Sequence, residues 1–234
     1  MVQVTVITID GPSGAGKGTL AHMLAAHLGW NLLDSGALYR VVAYACQFEG
    51  VSLTQEQDAA AIAENLAVEF ISGENAEVLV SYRGIDISAS IRNEQMGAGA
   101  SKVAAMPLVR QALLRRQRAF QVAPGLVADG RDMGTVVFPN AGLKIFLTAS
   151  AEERAERRYK QLKNKEESVS LATLFRDIQD RDQRDQSRAV SPLVPADDAI
   201  LIDSTGKPIE QVFEQVLCEL KKKDLVKGLA FNFV

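Results

Sequence analysis

The feature that most constrains this chain is the run VQVTVITID, Val2 to Asp10, followed at once by GPSGAGKGT, Gly11 to Thr19. A nearly continuous apolar run of this kind reads as a strand buried on both faces, the habit of parallel sheets. The glycine-rich turn and the helical pattern LAHMLAAHLG after it complete a strand–loop–helix unit. In such a unit the backbone N–H groups of the loop converge at a helix N-terminus and cradle phosphate oxygens, while a lysine adds a mobile positive charge. Gly11, Pro12, Ser13, Gly14, Ala15, Gly16, Lys17, Gly18 and Thr19 are therefore read as the loop that holds a nucleoside triphosphate. The pattern G-x-x-x-x-G-K-[ST] is met at Gly11, Gly16 and Lys17 and fails at its last position. There Gly18 stands where a magnesium-binding hydroxyl is usual, and Thr19 follows it.

Two other nucleotide chemistries are excluded by spacing. Gly14-Ala15-Gly16 is followed three residues on by Thr19 rather than glycine, which rules out the dinucleotide fingerprint. A guanine-reading N-K-x-D is missing its aspartate in Asn164-Lys165-Glu166-Glu167. The D-x-x-G from Asp203 to Gly206 comes after that segment, in the wrong order for a switch GTPase.

Four further runs resemble the first: WNLLDS, GLVADG, LKIFLTA and AILIDS, each leaving its apolar stretch at a polar residue or turn. Helical stretches separate them, which predicts an α/β chain with a five-stranded parallel sheet in the three-layer phosphate-loop NTPase arrangement. Ligands gather at the carboxyl ends of such strands, where Asp10, Asp34, Asp129 and Asp203 stand. One region breaks the rhythm: AVEFISG, AEVLVSYRG and IDISASI, with Gly73-Glu74-Asn75 between the first two, predict a small antiparallel insertion. The expected organisation is one domain over residues 1–226. It contains the antiparallel insertion with its flanking helices at about 38–120 and a charged helical segment at about 151–168, and a tail of residues 227–234 follows.

Bulk composition narrows the partners. The 234 residues carry a net charge of −3, which argues against a protein that coats nucleic acid. No apolar run reaches the roughly 18 residues of a membrane span, and the N-terminus carries no basic leader, so a cytoplasmic protein without membrane or nucleic-acid partners is expected. Cys46 and Cys218 lie far apart in apolar helical pattern and read as buried free thiols. Arg115, Arg116 and Arg118 read as solvated surface.

Phosphoryl transfer needs several arginines converging on one point to neutralise donor and acceptor charge. Arg40 closes DSGALYR just after a strand end, and Arg131 sits between two aspartates in ADGRDMGTVVFP at another. In RDIQDRDQRDQSR, helical spacing at about 100° per residue gathers Asp177, Arg181, Arg184, Asp185 and Arg188 on one face. That face fits either a ladder of surface ion pairs or a binding surface. Ser101 and Arg110 would point apart in one straight helix. Pro107 predicts two helices meeting at a corner, which could aim both at one ligand.

Taken together, GPSGAGKGT, DSGALYR, ASKVAAMPLVRQALLRRQRAF, ADGRDMGTVVFP and DRDQRDQSRAVSPLVPA resemble the bacterial cytidylate kinases, from the first strand to about Leu220. The loop is shared across nucleoside monophosphate kinases, whereas GRDMGTVVFP and RDQRDQSRAVSPL are far more specific. The antiparallel insertion is similar to the extra segment that sets this family apart from adenylate kinases, where the acceptor-binding region lies. The resemblance implies phosphoryl transfer from ATP to CMP or dCMP with Mg2+, by a monomer. It also accounts for Gly18, since such kinases hold their metal largely through phosphates and water. It further implies that Lys17, Arg131, Arg181 and Arg188 are catalytic. Ser35, Arg40, Arg131 and Arg188 would hold the acceptor phosphate, and Arg181 and Asp185 the sugar. Ser101, Arg110 and Asp132 would read the base. The charged segment becomes a lid, with Arg157 and Arg158 touching ATP. A kinase of another small acceptor, such as UMP, AMP, shikimate or dephospho-coenzyme A, is the alternative; the non-nucleotide acceptors would not need Ser101, Arg110 and Asp132 together.

Overall fold

The computed structural model describes residues 4–72, 78–163 and 170–225. The expected turn at Gly73-Glu74-Asn75, the Asn164–Glu167 stretch and the tail lie outside the described residues. The chain divides into two compact units. One draws on the sequence up to Asp34 and again from Arg118 onward, and the other is Ser35–Gln117.

The first unit is built on a parallel sheet of β1 (Val6–Asp10), β2 (Asn31–Asp34), β6 (Leu126–Gly130), β7 (Leu143–Thr148) and β8 (Ile200–Asp203), in the order β2-β6-β1-β7-β8. The five apolar runs are these five strands. β1 lies at the centre, with Ile9 beside Asp129 of β6 and Ile145 of β7, so the loop leaves the middle of the sheet. Alternation along β1 sends Ile7 and Ile9 to one face. There they pack with Leu20 and Leu24 of α1 (Lys17–Leu28) and Val212 and Val216 of α8 (Ile209–Lys222). α6 (Ala151–Lys163) and α7 (Leu171–Gln186) complete the unit's helices, and Met133–Val137 form a single π-helical turn after β6.

The second unit carries α2 (Ser35–Phe48), α3 (Glu56–Glu64), α4 (Glu94–Val103) and α5 (Pro107–Arg118, whose last residue belongs to the first unit). Its antiparallel sheet runs β3 (Val68–Ser72), β4 (Val78–Tyr82), β5 (Ile85–Asp86), with Phe70 opposite Val80. The insertion read from the sequence is thus a three-stranded meander, its third strand only two residues long, with a 3₁₀ turn further on at Ser90–Arg92. Tyr82 ties this sheet to α2, its hydroxyl donating to Glu49 at 2.5 Å and its ring edge-on to Tyr44. The helix break also follows expectation: α4 ends at Val103 and α5 begins at Pro107.

Two surface expectations need correction. Arg116 donates to the Leu66 carbonyl at 2.7 Å, and Arg118 donates to Val137 at 3.0 Å and Val136 at 3.1 Å, so neither is simply solvated. Long side chains reach buried carbonyls that a helical-wheel reading cannot see. Cys46 is buried as expected, but Cys218 is exposed, because α8 turns Leu217 and Leu220 inward instead. Among the described residues no helix is long and apolar enough to cross a membrane.

Leu24, wholly buried between α1 and the sheet, is the simplest probe of this packing. Leu24→Ala is expected to cost about 3 kcal/mol through lost burial and the cavity left behind. In urea the unfolding midpoint falls while the slope stays unchanged.

Candidate active site

Gly11 leaves β1 with φ 147°, and a Cβ there would fall 1.9 Å from the Leu147 carbonyl oxygen. Glycine is required by both backbone angle and space, because β7 runs alongside where the loop begins. The turn then delivers Lys17 into the first turn of α1, 5% exposed, its Nζ donating to the Pro12 carbonyl at 2.9 Å. Asp129, at the end of β6, lies 3.9 Å from that ammonium. Burial and the repulsion of Arg131 lower the Lys17 pKa; the Asp129 carboxyl is pushed up by burial and held back by Lys17.

Beyond the lysine lies a cluster of ions. Asp185 of α7 is 1% exposed; it accepts from Arg131 Nε at 3.0 Å and from Arg188 by a short contact. Burial alone would raise its carboxyl, but Arg131, Arg188 and Arg181 outweigh burial and hold it below the usual range. Lys17 also feels the charges of Arg131 and Arg181. The first unit therefore brings Lys17, Arg131, Arg181, Asp185 and Arg188 together. Of the five residues on the proposed α7 face, Asp177 and Arg184 stay exposed.

Asp132 caps the π-turn Met133–Val137 and is 2% exposed. Asp10, the last residue of β1, accepts from the Met133 and Gly134 amides at 2.8 and 2.7 Å. Burial pushes its carboxyl up to about 7 against those two bonds, which pull it down.

Two residues that sequence reasoning passed over act on the loop. Arg154, at the start of α6 and 4% exposed, donates to the Ser13 carbonyl at 3.2 Å. Its guanidinium also makes a two-pronged pair with Asp182 of α7 at 3.0 and 2.6 Å. Ser204 is 2% exposed, its hydroxyl 3.1 Å from the Ala15 carbonyl and accepting from Arg157 at 3.1 Å. The signal for Ser204 was present in the polar residue leaving AILIDS; nothing in the charged stretch singled out Arg154. Arg157 lies at the loop, its Nη1 3.9 Å from a Cβ at Gly16, while Arg158 donates to Gln161 along its own helix. The lid expected at 151–168 is described only to Lys163.

In the second unit, Arg40 of α2 donates to the carbonyls of Ile91 and Asn93 at 2.9 and 3.0 Å, beside the start of α4. Gly97 makes room for it, since a Cβ there would meet Arg40 Nη2 at 3.1 Å. Ser35 is 3% exposed and donates to Gln117 at 3.2 Å. Ser101 is buried on α4. Arg110 of α5 folds back to the end of that helix, donating to the Ala104 carbonyl at 3.2 Å, with its guanidinium 5.9 Å from the Tyr39 ring centre.

Metal donors are sparse: among the described residues no group of three or more His, Cys, Asp or Glu stands ready to hold an ion. Asp34 and Asp129 do sit side by side in the β2–β6 register and repel one another, and Asp129 Oδ2 lies 3.5 Å from a Cβ at Gly18. Two hard oxygen donors beside a phosphate loop fit a Mg2+ that keeps several waters.

A strand–loop–helix phosphate cradle whose lysine meets a converging set of arginines defines a phosphotransferase of the phosphate-loop class. The cytidylate kinase family profile matches residues 7–222. The chain is 59% identical to the cytidylate kinase of Stutzerimonas stutzeri (strain A1501), across 95% of this chain and 97% of that protein. It is 60% identical to that of Pseudomonas fluorescens (strain Pf0-1), across 94% and 96%. Among solved structures, a gluconokinase from Sinorhizobium meliloti 1021 aligns with a TM-score of 0.47 at 16% identity, covering 98% of this chain and 97% of its own. The chain belongs to the cytidylate kinase family.

Asp10 has a folded pKa above its unfolded value, so folding takes up a proton between about pH 4 and pH 7. The stability contributed at this site therefore falls as pH rises through that window. Asp10→Asn removes that slope. Urea unfolding should show the variant less stable than wild type at pH 5, with the gap narrowing or reversing by pH 8.

Proposed function

We infer that this chain transfers the γ-phosphoryl group of ATP to CMP or dCMP, giving ADP and CDP or dCDP. The observation that carries the reading is the cluster of Arg131, Arg181 and Arg188 around the buried Asp185, with Lys17 near enough to feel Arg131 and Arg181, in a chain of this family. Loop amides and Lys17 hold the donor phosphates. Their negative charge would favour the charged form of a lysine whose pKa burial and Arg131 lower.

The acceptor phosphate, already ionised near pH 7, would be held by Ser35, Arg40, Arg131 and Arg188, so no general base is required. Arg181 and Asp185 would take the sugar, and Arg181 also approaches the phosphoryl group in flight. Asp34 and Asp129 would hold a Mg2+ through water, and the ion would neutralise charge on the donor phosphates. Arg157 and Arg158 are the proposed lid contacts to ATP, and Arg154 donates to the Ser13 carbonyl of the loop. Water must be kept from the phosphoryl group, or ATP is hydrolysed. We further propose that the chain works as a monomer in the cytoplasm.

Base choice falls to Ser101, Arg110 and Asp132. Cytosine presents an amino donor beside two acceptors. A carboxylate takes the amine, while arginine and serine donate to the acceptors. Uracil turns a carbonyl toward Asp132 instead and leaves two acceptors facing one another. Sites of this kind discriminate by about 10⁴ or more.

The test is ADP release from Mg-ATP with CMP, dCMP, UMP, AMP or no acceptor. Fast turnover is expected with CMP and dCMP, weak turnover with UMP, and almost none without acceptor. ATP consumption indifferent to the monophosphate would overturn the reading. Asp132→Asn should lower the ratio of kcat/KM for CMP over UMP, by about 100-fold if the lost contact is a buried charged hydrogen bond.

A further inference from the structure

Asp10 has no part in the transfer described above, yet it is buried and fully engaged. Thr8 and Asp10 point to the face of β1 opposite Ile7 and Ile9, and they are 0% and 5% exposed. A carboxylate in such a place is costly unless its oxygens are satisfied. Asp10 Oδ1 takes the Met133 amide and Oδ2 the Gly134 amide. These are the two N–H groups that immediately follow Asp132.

A π-helical turn leaves its opening amides without partners inside the turn, and this turn is only five residues long. The Asp132 carbonyl is held from the other side, accepting from Val136 at 2.9 Å and Val137 at 3.2 Å. The backbone at Asp132 is thus clamped between its own turn and the carboxylate of a neighbouring strand. Gly134 lies flat against that strand. A Cβ there would meet Thr8 Oγ1 at 2.9 Å, Lys144 Cδ at 3.2 Å and Asp10 Oδ2 at 3.3 Å. The strand end therefore sets the direction in which Asp132 leaves the turn.

We propose that Asp10 is a positioning residue for acceptor recognition: by gripping the amides of Met133 and Gly134 it aims Asp132, and thereby sets the preference between cytosine and uracil. The proposal rests on the reading of Asp132 as the residue that takes the cytosine amine. Hydrogen-bond discrimination is sensitive to displacements of about 1 Å, so a turn that slackens loses selectivity before it loses its fold.

Asp10→Asn keeps the volume but replaces one acceptor by an NH2 group facing an N–H donor, so one of the two bonds is lost. The experiment measures kcat/KM for CMP and for UMP, and KM for ATP, in wild type, Asp10→Asn, Asp132→Asn and the double variant. Asp10→Asn should lower the CMP-to-UMP ratio about tenfold, the worth of one such bond, with KM for ATP little changed. On top of Asp132→Asn it should lower the ratio no further, because the effect passes through Asp132.

A ratio unmoved by Asp10→Asn, with or without a rise in KM for ATP, would overturn the proposal; the rise would assign Asp10 to the loop instead. An equal loss with and without Asp132 would overturn it too. Should Asp132→Asn itself leave the ratio unmoved, the base reading falls and this proposal with it, a result distinct from a silent Asp10. If Asp10→Asn does not fold, Gly134→Ala tests the same turn by pushing it off the strand that carries Asp10. The expected loss of ratio, or its absence, then decides.

Discussion

Positive charge is crowded at one edge of this chain's parallel sheet, and crowding it is unfavourable without carboxylates beside it. Lys17, Arg131, Arg181 and Arg188 lie close enough to perturb their neighbours, and the resident anions Asp129 and Asp185 hold them in place. Burial works against Asp185, and three guanidinium groups more than offset it. Burial also works against Lys17, and Arg131 adds to it while Asp129 opposes it. The phosphates proposed to bind there would meet interactions that already have the right sign. That is preorganisation in the electrostatic sense.

The sheet makes such crowding tolerable. Its strands end together, and four of the five ends supply something to the same edge: the loop from β1, Asp34 from β2, Asp129 and the π-turn from β6, Ser204 after β8. Parallel register is what aligns these ends, and the hydrophobic face of α1 and α8 is what holds the register. Polar groups at this edge are knitted through backbone carbonyls: Arg154 to Ser13, Ser204 to Ala15, Lys17 to Pro12. The loop is thus braced by side chains from α6 and the turn after β8 as well as by its own glycines.

Much of this was legible in the residues. Five apolar runs ending in polar residues fixed a parallel α/β sheet, because only strands covered on both faces are apolar throughout. Gly11 and Lys17 stood in a spacing that serves phosphate. Pro107 announced the corner between α4 and α5, since its ring forbids a straight helix. The blocks around Arg131 and Arg188 pointed to the family. Spacing on a helical wheel was a poorer guide: it grouped Asp177 and Arg184 with Arg181 and Asp185, but α7 leaves the first pair in solvent.

What the sequence determined alone was the local chemistry, meaning the loop, the strands, the helix break and the charged residue types on offer. What only the tertiary structure decided was which of those charges face one another. Arg131 meets Asp185 across 54 positions, Arg154 meets Asp182 across 28, and Asp10 grips amides more than 120 residues away. Hydrogen bonds and ion pairs act over about 3 Å, whereas local propensity and periodicity extend only a few turns along the chain. Partners so distant in sequence leave no mark on one another until the sheet sets them side by side.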